Sequence, residues 1–433
     1  MRCIVFASIL LLATGVSADT PGRDDLNGWL GAAQPEQGPA AGSTLGQADL
    51  PQLAPFLPPG YREEFDIPDL VLEIQATAPY QPHPAYLEAS AKFAGQATLA
   101  ANGSLENYTA GRPFDPAQFA AAPPDQAGLM LAWNHVHRWQ YFGYKVDGLV
   151  MAYLRSGAGT LMPGVGGGAH LDRSMMQNYH RVYLNHLAML PENGYHVGAS
   201  DYGKRFYKDY MEFLDPRDVA GTAFIIERSL DATEEDQVNS FLPTERRVRR
   251  LSAQERADSF MGSEYTLDDL EGFSGRVLDF TWNYLGERRL LVVADSKHDQ
   301  LQFYGPESRL PRDRFQLRRC HVVELKPHWA GHPYGAKVLF IDAETYNPAL
   351  ALIFNREQKL WKVIYPAYKW PALAPGETPE LTQIPVWRGS VALDRIANTS
   401  TLAFSTGGSS YVAMKDADVD RLFNTSRLTS GRK

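Results

Sequence analysis

The chain has 433 residues, of which 44% are hydrophobic and 21% are charged. These values are close to the globular average and exclude the fibrous and disordered classes. Lys and Arg total 42, Asp and Glu total 50, and the formal net charge is −8. This charge disfavours sequence-independent nucleic-acid binding, which requires clustered positive charge. Cys3 and Cys320 are too few for a disulfide framework or a thiolate metal site.

The first predicted element is an export signal over residues 1–18. Arg2 supplies a short positive region, residues 3–16 supply an apolar core, and Val16-Ser17-Ala18 resembles a cleavage site. We predict cleavage after Ala18, a mature chain that starts at Asp19 and, for a bacterial protein, a periplasmic location. No later stretch reaches 18 uninterrupted apolar residues, so we expect a mature protein that does not span the membrane.

The elements predicted in the first half are mixed. Residues 19–60 are rich in Gly, Pro, Ala and Gln, which predicts a loop or a loosely docked extension. Residues 84–101 predict a helix, and the aromatic-rich segments from Leu129 onward have a short period that favours strands. After the Gly-rich stretch 157–170, apolar residues recur at helical spacings of three and four. These residues are Met176, Tyr179, Tyr183, Leu187 and Leu190.

The second half contains many short strand-like runs separated by turn signals. The runs are GTAFIIERSL, RVLDFTWNYLG, RRLLVVADSK, CHVVELKPH, AKVLFIDAET, PALALIFN, KLWKVIYPAY and STLAFSTGGSSYVAM. Within AKVLFIDAET, Val338, Phe340 and Asp342 alternate with Leu339 and Ile341. Many short strands with frequent turns favour an antiparallel meander over βαβ units.

Motifs for chemistry are scarce. The GVGGGAH stretch lacks the Lys-Ser/Thr of a phosphate-binding loop, and the G-x-S-x-G elbow of a serine hydrolase is missing. His135 and His137 would share one face of a predicted strand, but spacing fixes no third metal ligand, so local hydrogen bonding is favoured. The basic run 245–250 would place Arg on both faces of a strand, typical of a solvated surface. We predict no catalytic residue, no metal and no cofactor, and we expect Cys320 to be a buried small hydrophobe.

Three separated blocks resemble, in order, the bacterial family known as domain of unknown function 1329 (DUF1329). The blocks begin with YTAGRPFD, FLPTERRVRR and LRRCHVVELK and cover residues 108–139, 241–292 and 317–368. The resemblance extends over the mature chain from about Gly60, so residues 61–433 are predicted to form a single domain after the 19–60 extension.

The resemblance implies a fold related to the periplasmic carriers LolA and LolB and to mycobacterial lipid-binding lipoproteins. This LolA/LppX-like fold is mainly β (α+β): a large curved antiparallel half-barrel wrapped around a few helices, with an apolar cavity between. The implied function is a periplasmic, non-enzymatic carrier or accessory protein for a lipid or other hydrophobic molecule. The implied partners are an inner-membrane efflux-type exporter and an outer-membrane protein, and no nucleic acid.

Within such a fold, aromatic and apolar side chains should line the cavity. The candidates are Trp133, Phe260, Met261, Phe273, Trp282, Phe340 and Trp361. The capping-box patterns Ser252-Ala-Gln-Glu255 and Thr266-Leu-Asp-Asp269 predict two short helices across the mouth of the half-barrel. Leu267 and Leu270 would turn inward with Phe260, Met261 and Phe273. The predicted rim residues are Arg247, Arg249, Asp268 and Asp269.

Two alternatives to a carrier stay open at this point. One is a periplasmic hydrolase whose site is assembled from residues too scattered to recognise. The other is a structural envelope protein whose half-barrel is filled by its own side chains. The chemistry of the cavity separates these classes, because a carrier needs an apolar cavity with few charges whereas an enzyme brings titratable residues together in one cleft.

Overall fold

The computed structural model describes residues 20–156, 169–197, 204–252, 254–370, 384–411, 419, 421 and 423–424. The predicted export signal and its cleavage site, and residues 157–168 of the Gly-rich stretch, lie outside the described residues.

The helices of the described residues are short and lie mostly before residue 140. The α-helices are α1 (Arg23–Gly31), α2 (Leu50–Leu53), α3 (Pro84–Lys92), α4 (Pro116–Ala121) and α5 (Pro124–Val136). The 3₁₀ turns are Gln47–Asp49, Ala54–Phe56, Arg62–Phe65, Pro191–Asn193, Gln254–Ala257, Phe260–Gly262, Leu267–Gly272, Val277–Asp279 and Pro306–Ser308. No helix among the described residues is long and apolar enough to cross a membrane.

Strands dominate the rest of the described chain. They are β1 (Thr44–Leu45), β2 (Leu72–Ile74), β3 (Thr98–Leu99), β4 (Leu105–Glu106), β5 (Gly143–Ser156), β6 (Ala169–Tyr183), β7 (Arg205–Asp215), β8 (Ala223–Ser229), β9 (Gln237–Leu242), β10 (Arg247–Leu251), β11 (Phe280–Val292), β12 (Phe303–Tyr304), β13 (Leu310–Pro311), β14 (Arg314–Pro327), β15 (Ala336–Asp342), β16 (Pro348–Phe354), β17 (Leu360–Lys369), β18 (Val386–Asp394), β19 (Thr399–Ser405) and β20 (Ser409–Tyr411).

Sixteen of these strands form one large sheet in the order β1-β2-β14-β15-β16-β17-β18-β19-β5-β6-β7-β8-β9-β10, with β11 paired to β14 and β20 paired to β5. Neighbouring strands are antiparallel except for β2, which runs parallel to β14. Within the described residues no pairing joins β10 to β11, so the sheet stays open. The predicted open, mainly β half-barrel with an antiparallel meander in the second half is therefore confirmed.

The central strands are apolar on both faces. Every residue of β15 is buried, and its alternation splits as the sequence predicts. Val338 and Phe340 belong to one hydrophobic cluster, whereas Leu339 and Ile341 belong to another. We call the first side the N-terminal face and the second side the helical face. Because successive side chains point to opposite sides of a strand, both faces of this sheet require a cover.

Residues 20–74 cover the N-terminal face. Leu53, Phe56 and Phe65 are fully buried there, and the Trp29 ring lies edge-on to Phe340 at 6.1 Å between centroids. Of the prediction for residues 19–60, loose docking is therefore wrong for residues 20–60, which pack against the sheet. Gly and Pro correctly indicate irregular backbone, but the apolar residues between them supply a packing surface that composition alone hides. The domain boundary at residue 60 stays a prediction.

Helix α5 and the irregular segment 254–280 cover the helical face. The predicted strand around His135 and His137 is wrong, because Pro124 begins a helix that ends at Val136. Gly128 lets this helix approach β11 closely, since a Cβ atom there would lie 2.8 Å from the backbone nitrogen of Asn283. The predicted helix over 84–101 is confirmed for α3 and then gives way to β3.

The helix predicted after the Gly-rich stretch is instead strand β6. Tyr179 and Tyr183 do share a face, because a spacing of four keeps residues on one side of a strand as well as of a helix. Periodicity over so few residues cannot separate the two structures, and pairing with both β5 and β7 decides in favour of the strand.

The two lateral edges of the sheet differ. At β11, the Gln34 side chain donates to the carbonyl of Arg289 at 2.9 Å and accepts from its N–H at 2.9 Å. At β10, the side chains of Arg247 and Arg249 are exposed and share Glu245, with 2.5 Å between Arg249 Nε and Glu245 Oε2. The solvated surface predicted for the basic run is thus observed at these two residues.

We predict that Leu53→Ala lowers the free energy of unfolding by about 3 kcal/mol, because it leaves a cavity beneath the N-terminal face. The matched control is Leu87→Ala on α3, where the leucine is 46% exposed and the loss should stay within about 0.5 kcal/mol. Urea denaturation of both variants measures the difference. Equal losses would show that residues 20–74 do not contribute to the folded core.

Candidate ligand-binding site

A cavity of about 90 Å³ lies on the helical face, between the sheet and residues 254–280. We call these residues the cover segment and the space the covered cavity. Its floor follows the sheet register: Pro366 pairs with Ser390, Ser390 with Ala403, and Ala403 with Met151. One cross-strand row from four strands therefore supplies the floor, because directly paired residues project to the same side.

The cover segment supplies the opposite wall. Phe260 faces the cavity, and its ring packs 6.0 Å from Phe213 and 5.9 Å from Phe224 between centroids. Tyr265 spans from cover to floor, with 2.7 Å between its hydroxyl and Ser390 Oγ. Leu270 completes the apolar wall. These contacts make the cavity predominantly apolar.

A buried ion pair fixes the cover segment to the sheet. Asp269 is 1% exposed and accepts from Lys337 Nζ at 2.7 Å and from the Tyr334 hydroxyl at 2.6 Å. Burial raises the pKa of Asp269, but the nearby ammonium groups outweigh it and hold that pKa below its usual value. The predicted capping box is confirmed, since Thr266 N donates to Asp269 at 2.9 Å, although it begins a 3₁₀ turn instead of an α-helix.

Glu271 provides a second attachment at the edge of the cavity. Its carboxylate pairs with Arg138 and lies 3.1 Å from Arg181 Nη1. Arg181 in turn donates two hydrogen bonds to the Asp209 carboxylate, from Nε at 2.6 Å and from Nη2 at 2.7 Å. Burial raises the pKa of Glu271 even though Arg138 opposes the effect. Both carboxylates that line the cavity are therefore occupied by cations.

A third attachment uses Asp268 and Asp236. Arg256 Nε donates to Asp268 at 2.8 Å, and Arg256 Nη1 lies 3.2 Å from Asp236. Asp236 also accepts two bonds from Arg228, at 2.6 and 2.8 Å. Three separate charge contacts thus position a segment that has little regular secondary structure.

The predicted rim residues divide between two places. The rim prediction is wrong for Asp269, which lies in the interior as the partner of Lys337. Asp268 is half-buried against Arg256. The sequence shows only a capping box, whose acidic residue is usually exposed to solvent. Nothing in the sequence indicates that Lys337 on β15 lies next to Asp269. Arg247 and Arg249 are exposed on β10 and do not line the covered cavity.

The predicted cavity residues also divide. Phe260 lines the covered cavity, and the partly buried Met261 follows it in the chain. Phe273 and Trp282 are core residues whose ring centroids lie 5.0 Å apart. Trp361 is partly buried, and its Nε1 donates to Asp394 at 2.7 Å.

Two further predicted residues lie elsewhere. The cavity prediction is wrong for Phe340, because this residue lies on the N-terminal face, on the other side of the sheet from the covered cavity. Trp133 lines a second cavity near the end of α5. A charged substitution of Phe340 would thus test the core instead of the covered cavity.

Sequence reasoning missed the floor itself. Leu149 and Met151 are two residues apart on β5, so both face the cavity. Ile364 on β17 and Ala403 on β19 also line it. Alternation identifies the faces of each strand, but only the pairing of distant strands shows which face lies beneath the cover segment.

The site offers apolar contact rather than an evident reactive group. No cluster of three His, Cys, Asp or Glu suited to a metal occurs in the part of the chain that the structure describes. Cys320 is fully buried, as the sequence predicts, and burial raises the pKa of its thiol well above the usual value. This arrangement is suited to binding an apolar group.

Comparisons with known proteins agree with the sequence blocks. The family profile described as "Protein of unknown function (DUF1329)" matches residues 44–410. No curated protein matches the chain.

Solved structures include similar proteins at low identity. A DUF1329 family protein from Desulfovibrio piger is 16% identical, with a TM-score of 0.46 over 71% of this chain and 100% of that chain. A domain from Vibrio parahaemolyticus, whose name provisionally assigns it to outer membrane lipoprotein sorting, is 18% identical, with a TM-score of 0.46 over 70% and 99%. A LolA superfamily protein from Nitrosomonas europaea is 13% identical, with a TM-score of 0.34 over 68% and 97%.

We predict that Lys337→Met lowers the free energy of unfolding by about 3 to 5 kcal/mol, because it leaves Asp269 buried without its cation. The double variant Asp269→Asn/Lys337→Met removes both charges and should recover part of that loss. Chemical denaturation of the two single variants and the double variant measures the coupling. If the losses of unfolding free energy in the two single variants simply add up in the double variant, the two residues are not coupled and the assigned pair is wrong.

The same pair predicts a dependence on pH. Because the pKa of folded Asp269 lies below its unfolded value of about 3.9, its stabilisation is complete above that value and is lost as the pH falls through the folded pKa. Between pH 5 and pH 3 the double variant should therefore lose less stability than the wild type.

Proposed function

The chain therefore belongs to the DUF1329 family, and from this premise we propose that it is a non-enzymatic carrier of a lipid or another hydrophobic molecule. The observation that carries the proposal is the covered cavity, whose floor and cover are apolar while its two carboxylates are occupied by cations. Apolar burial is worth about 0.8 kcal/mol per CH₂, so an acyl chain would bind there without any charged contact.

Entry of cargo requires the cover segment to move. A volume of about 90 Å³ is smaller than the roughly 300 to 1,000 Å³ of ordinary small-molecule sites. The cover segment has φ angles of 52° at Met261 and 56° at Glu271, each followed by a glycine with positive φ, and it contributes no strand to the sheet before β11 begins at Phe280. Irregular segments of this kind open more easily than paired strands. For the proposed carrier, the cover segment would therefore have to move away from the sheet before an acyl chain could enter.

Opening must break the charge contacts described above, at a cost of several kcal/mol. Burial of ten CH₂ groups supplies about 8 kcal/mol, which offsets that cost and leaves moderate affinity. A carrier needs this balance, since cargo held too tightly would never be released.

The hydrolase alternative requires an unengaged general base beside the cavity to activate a hydroxyl such as that of Ser409. Glu271 is the titratable side chain best placed for such a role, but it already pairs with Arg138 and Arg181. A structural envelope protein requires a filled half-barrel, and the covered cavity argues against that alternative. The geometry therefore favours the carrier.

We further propose that the carrier works in the periplasm between an inner-membrane efflux-type exporter and an outer-membrane protein. The signal-like residues 1–18 support this location. A carrier between two membranes needs a cover that can close over its cargo, because the cargo must cross water without exposing apolar surface.

For the cavity, we expect a fluorescent polyene fatty acid such as cis-parinaric acid to bind the wild type saturably. Ala403→Leu adds three carbon atoms to the cavity floor and should weaken binding at least tenfold. The matched control is Ala397→Leu, at an exposed position after β18, which should bind like the wild type. If folded wild-type protein gives no saturable signal with fatty acids or phospholipids, the carrier proposal fails and the hydrolase alternative gains.

For the location, we expect the mature protein to begin at Asp19 and to be released by osmotic shock without detergent. Amino-terminal sequencing of the shock fluid is the measurement. Recovery of intact Met1 in a membrane pellet would contradict the predicted export.

A further inference from the structure

A second cavity, of about 710 Å³, lies at the end of α5. Its walls come from the β3–β4 hairpin, the end of α5, the beginning of β7 and the loop after β8. It shares no lining residue with the covered cavity. We call it the side cavity, and its volume falls within the range of ordinary small-molecule sites.

Flat rings form one wall of the side cavity. The His137 ring centroid lies 4.4 Å from that of Tyr108, 4.9 Å from Phe206 and 5.0 Å from His186. The Trp133 ring is nearly parallel to the His137 ring, with an interplanar angle of 22° and 6.1 Å between the ring centroids. Such a wall offers large rigid contact surfaces to a planar ligand.

Most polar atoms of this wall already have partners. Tyr108 donates its hydroxyl to the carbonyl of Gly111 at 2.7 Å, and Trp133 donates its Nε1 to the carbonyl of Gly103 at 2.9 Å. His186 Nδ1 lies 2.8 Å from the carbonyl of Thr109. Because a carbonyl can only accept, His186 Nδ1 carries the proton, and its Nε2 is the acceptor when the ring is neutral.

His137 differs from its neighbours. The imidazole is 8% exposed, and neither ring nitrogen forms a hydrogen bond with any other described residue. Burial lowers the pKa of both His137 and His186 below the usual value, so both rings are neutral at pH 7. A neutral imidazole offers one donor and one acceptor, and these atoms lie beside an aromatic wall.

The cations near the side cavity are neutralised. Arg228 makes two bonds to Asp236, and Arg276 Nη1 lies 3.2 Å from Asp279. The lining also includes Asp231. The cavity therefore has no excess positive charge with which to favour an anion.

We propose that the side cavity is a second ligand site, specific for a neutral planar aromatic molecule with a hydrogen-bonding group, such as a phenol or naphthol. An acyl chain would leave the polar atoms of His137 without a partner, which costs free energy in a buried site. A hydroxyl on an aromatic ring can hydrogen-bond to one of those atoms while the ring packs against the wall. This proposal is independent of the carrier role of the covered cavity.

The test compares 2-naphthol with naphthalene, which lacks the hydroxyl. For the wild type, we expect 2-naphthol to bind about fivefold or more tightly than naphthalene, as followed by ligand fluorescence. A purely apolar pocket would give equal affinity or the opposite order, because the hydroxyl would have to leave water without a partner. Either of those results, or the absence of saturable 2-naphthol binding, would overturn the proposal without any variant.

His137→Phe keeps a ring of similar shape and removes both nitrogen atoms. In this variant, 2-naphthol should lose its advantage over naphthalene while circular dichroism stays unchanged. The matched control is His328→Phe, at an exposed position outside both cavities, which should keep the preference. If folded His137→Phe still prefers 2-naphthol, the assignment of His137 is wrong.

A competition experiment separates the two cavities. 2-Naphthol should not displace cis-parinaric acid from the wild type, and Ala403→Leu should leave the 2-naphthol affinity unchanged. Displacement would show one shared site and overturn the proposal of a second one. Failure of fatty-acid binding with intact 2-naphthol binding would overturn only the carrier proposal.

Discussion

The central strands are apolar on both faces, and the need to cover both faces determines the rest of the architecture. β15 and β16 are buried along their whole length, so neither side can face water. Residues 20–74 cover one face, whereas α5 and the cover segment cover the other. An open antiparallel sheet usually leaves one face solvated. Here each cover comes from a different part of the chain, and the covered cavity forms where the less regular cover meets the sheet.

Charge determines where the irregular cover lies. Apolar contact is non-directional, so Phe260 and Leu270 alone would tolerate a shifted cover segment. The Asp269–Lys337 pair and the Glu271–Arg138 pair require specific distances and angles. Buried ion pairs contribute little net stability compared with apolar replacements, yet breaking one is costly. These pairs therefore fix the position of the cover segment on the sheet, and the proposed opening would have to break them.

The sequence predicted the faces of individual strands well and the relation between distant segments poorly. Alternation correctly separated Leu339 from Phe340, and the family resemblance anticipated the open sheet. Alternation does not tell which face carries the cavity, so it predicts the wrong side for Phe340 and does not identify Ala403. The strand prediction for His135 is wrong because an aromatic-rich helix buried on most sides lacks an amphipathic period. The rim prediction for Asp269 is wrong because its partner Lys337 lies 68 residues away in the chain.

An open half-barrel has two lateral edges, and each could recruit a strand from another molecule. Gln34 occupies one of them: its amide reproduces at Arg289 the donor and acceptor that a neighbouring strand would present. The other edge carries Arg247 and Arg249, with their shared partner Glu245, toward solvent, and charged side chains at a sheet edge oppose pairing with another strand. Both edges therefore carry features that oppose pairing between copies of the chain, whereas a closed barrel has no edge to protect.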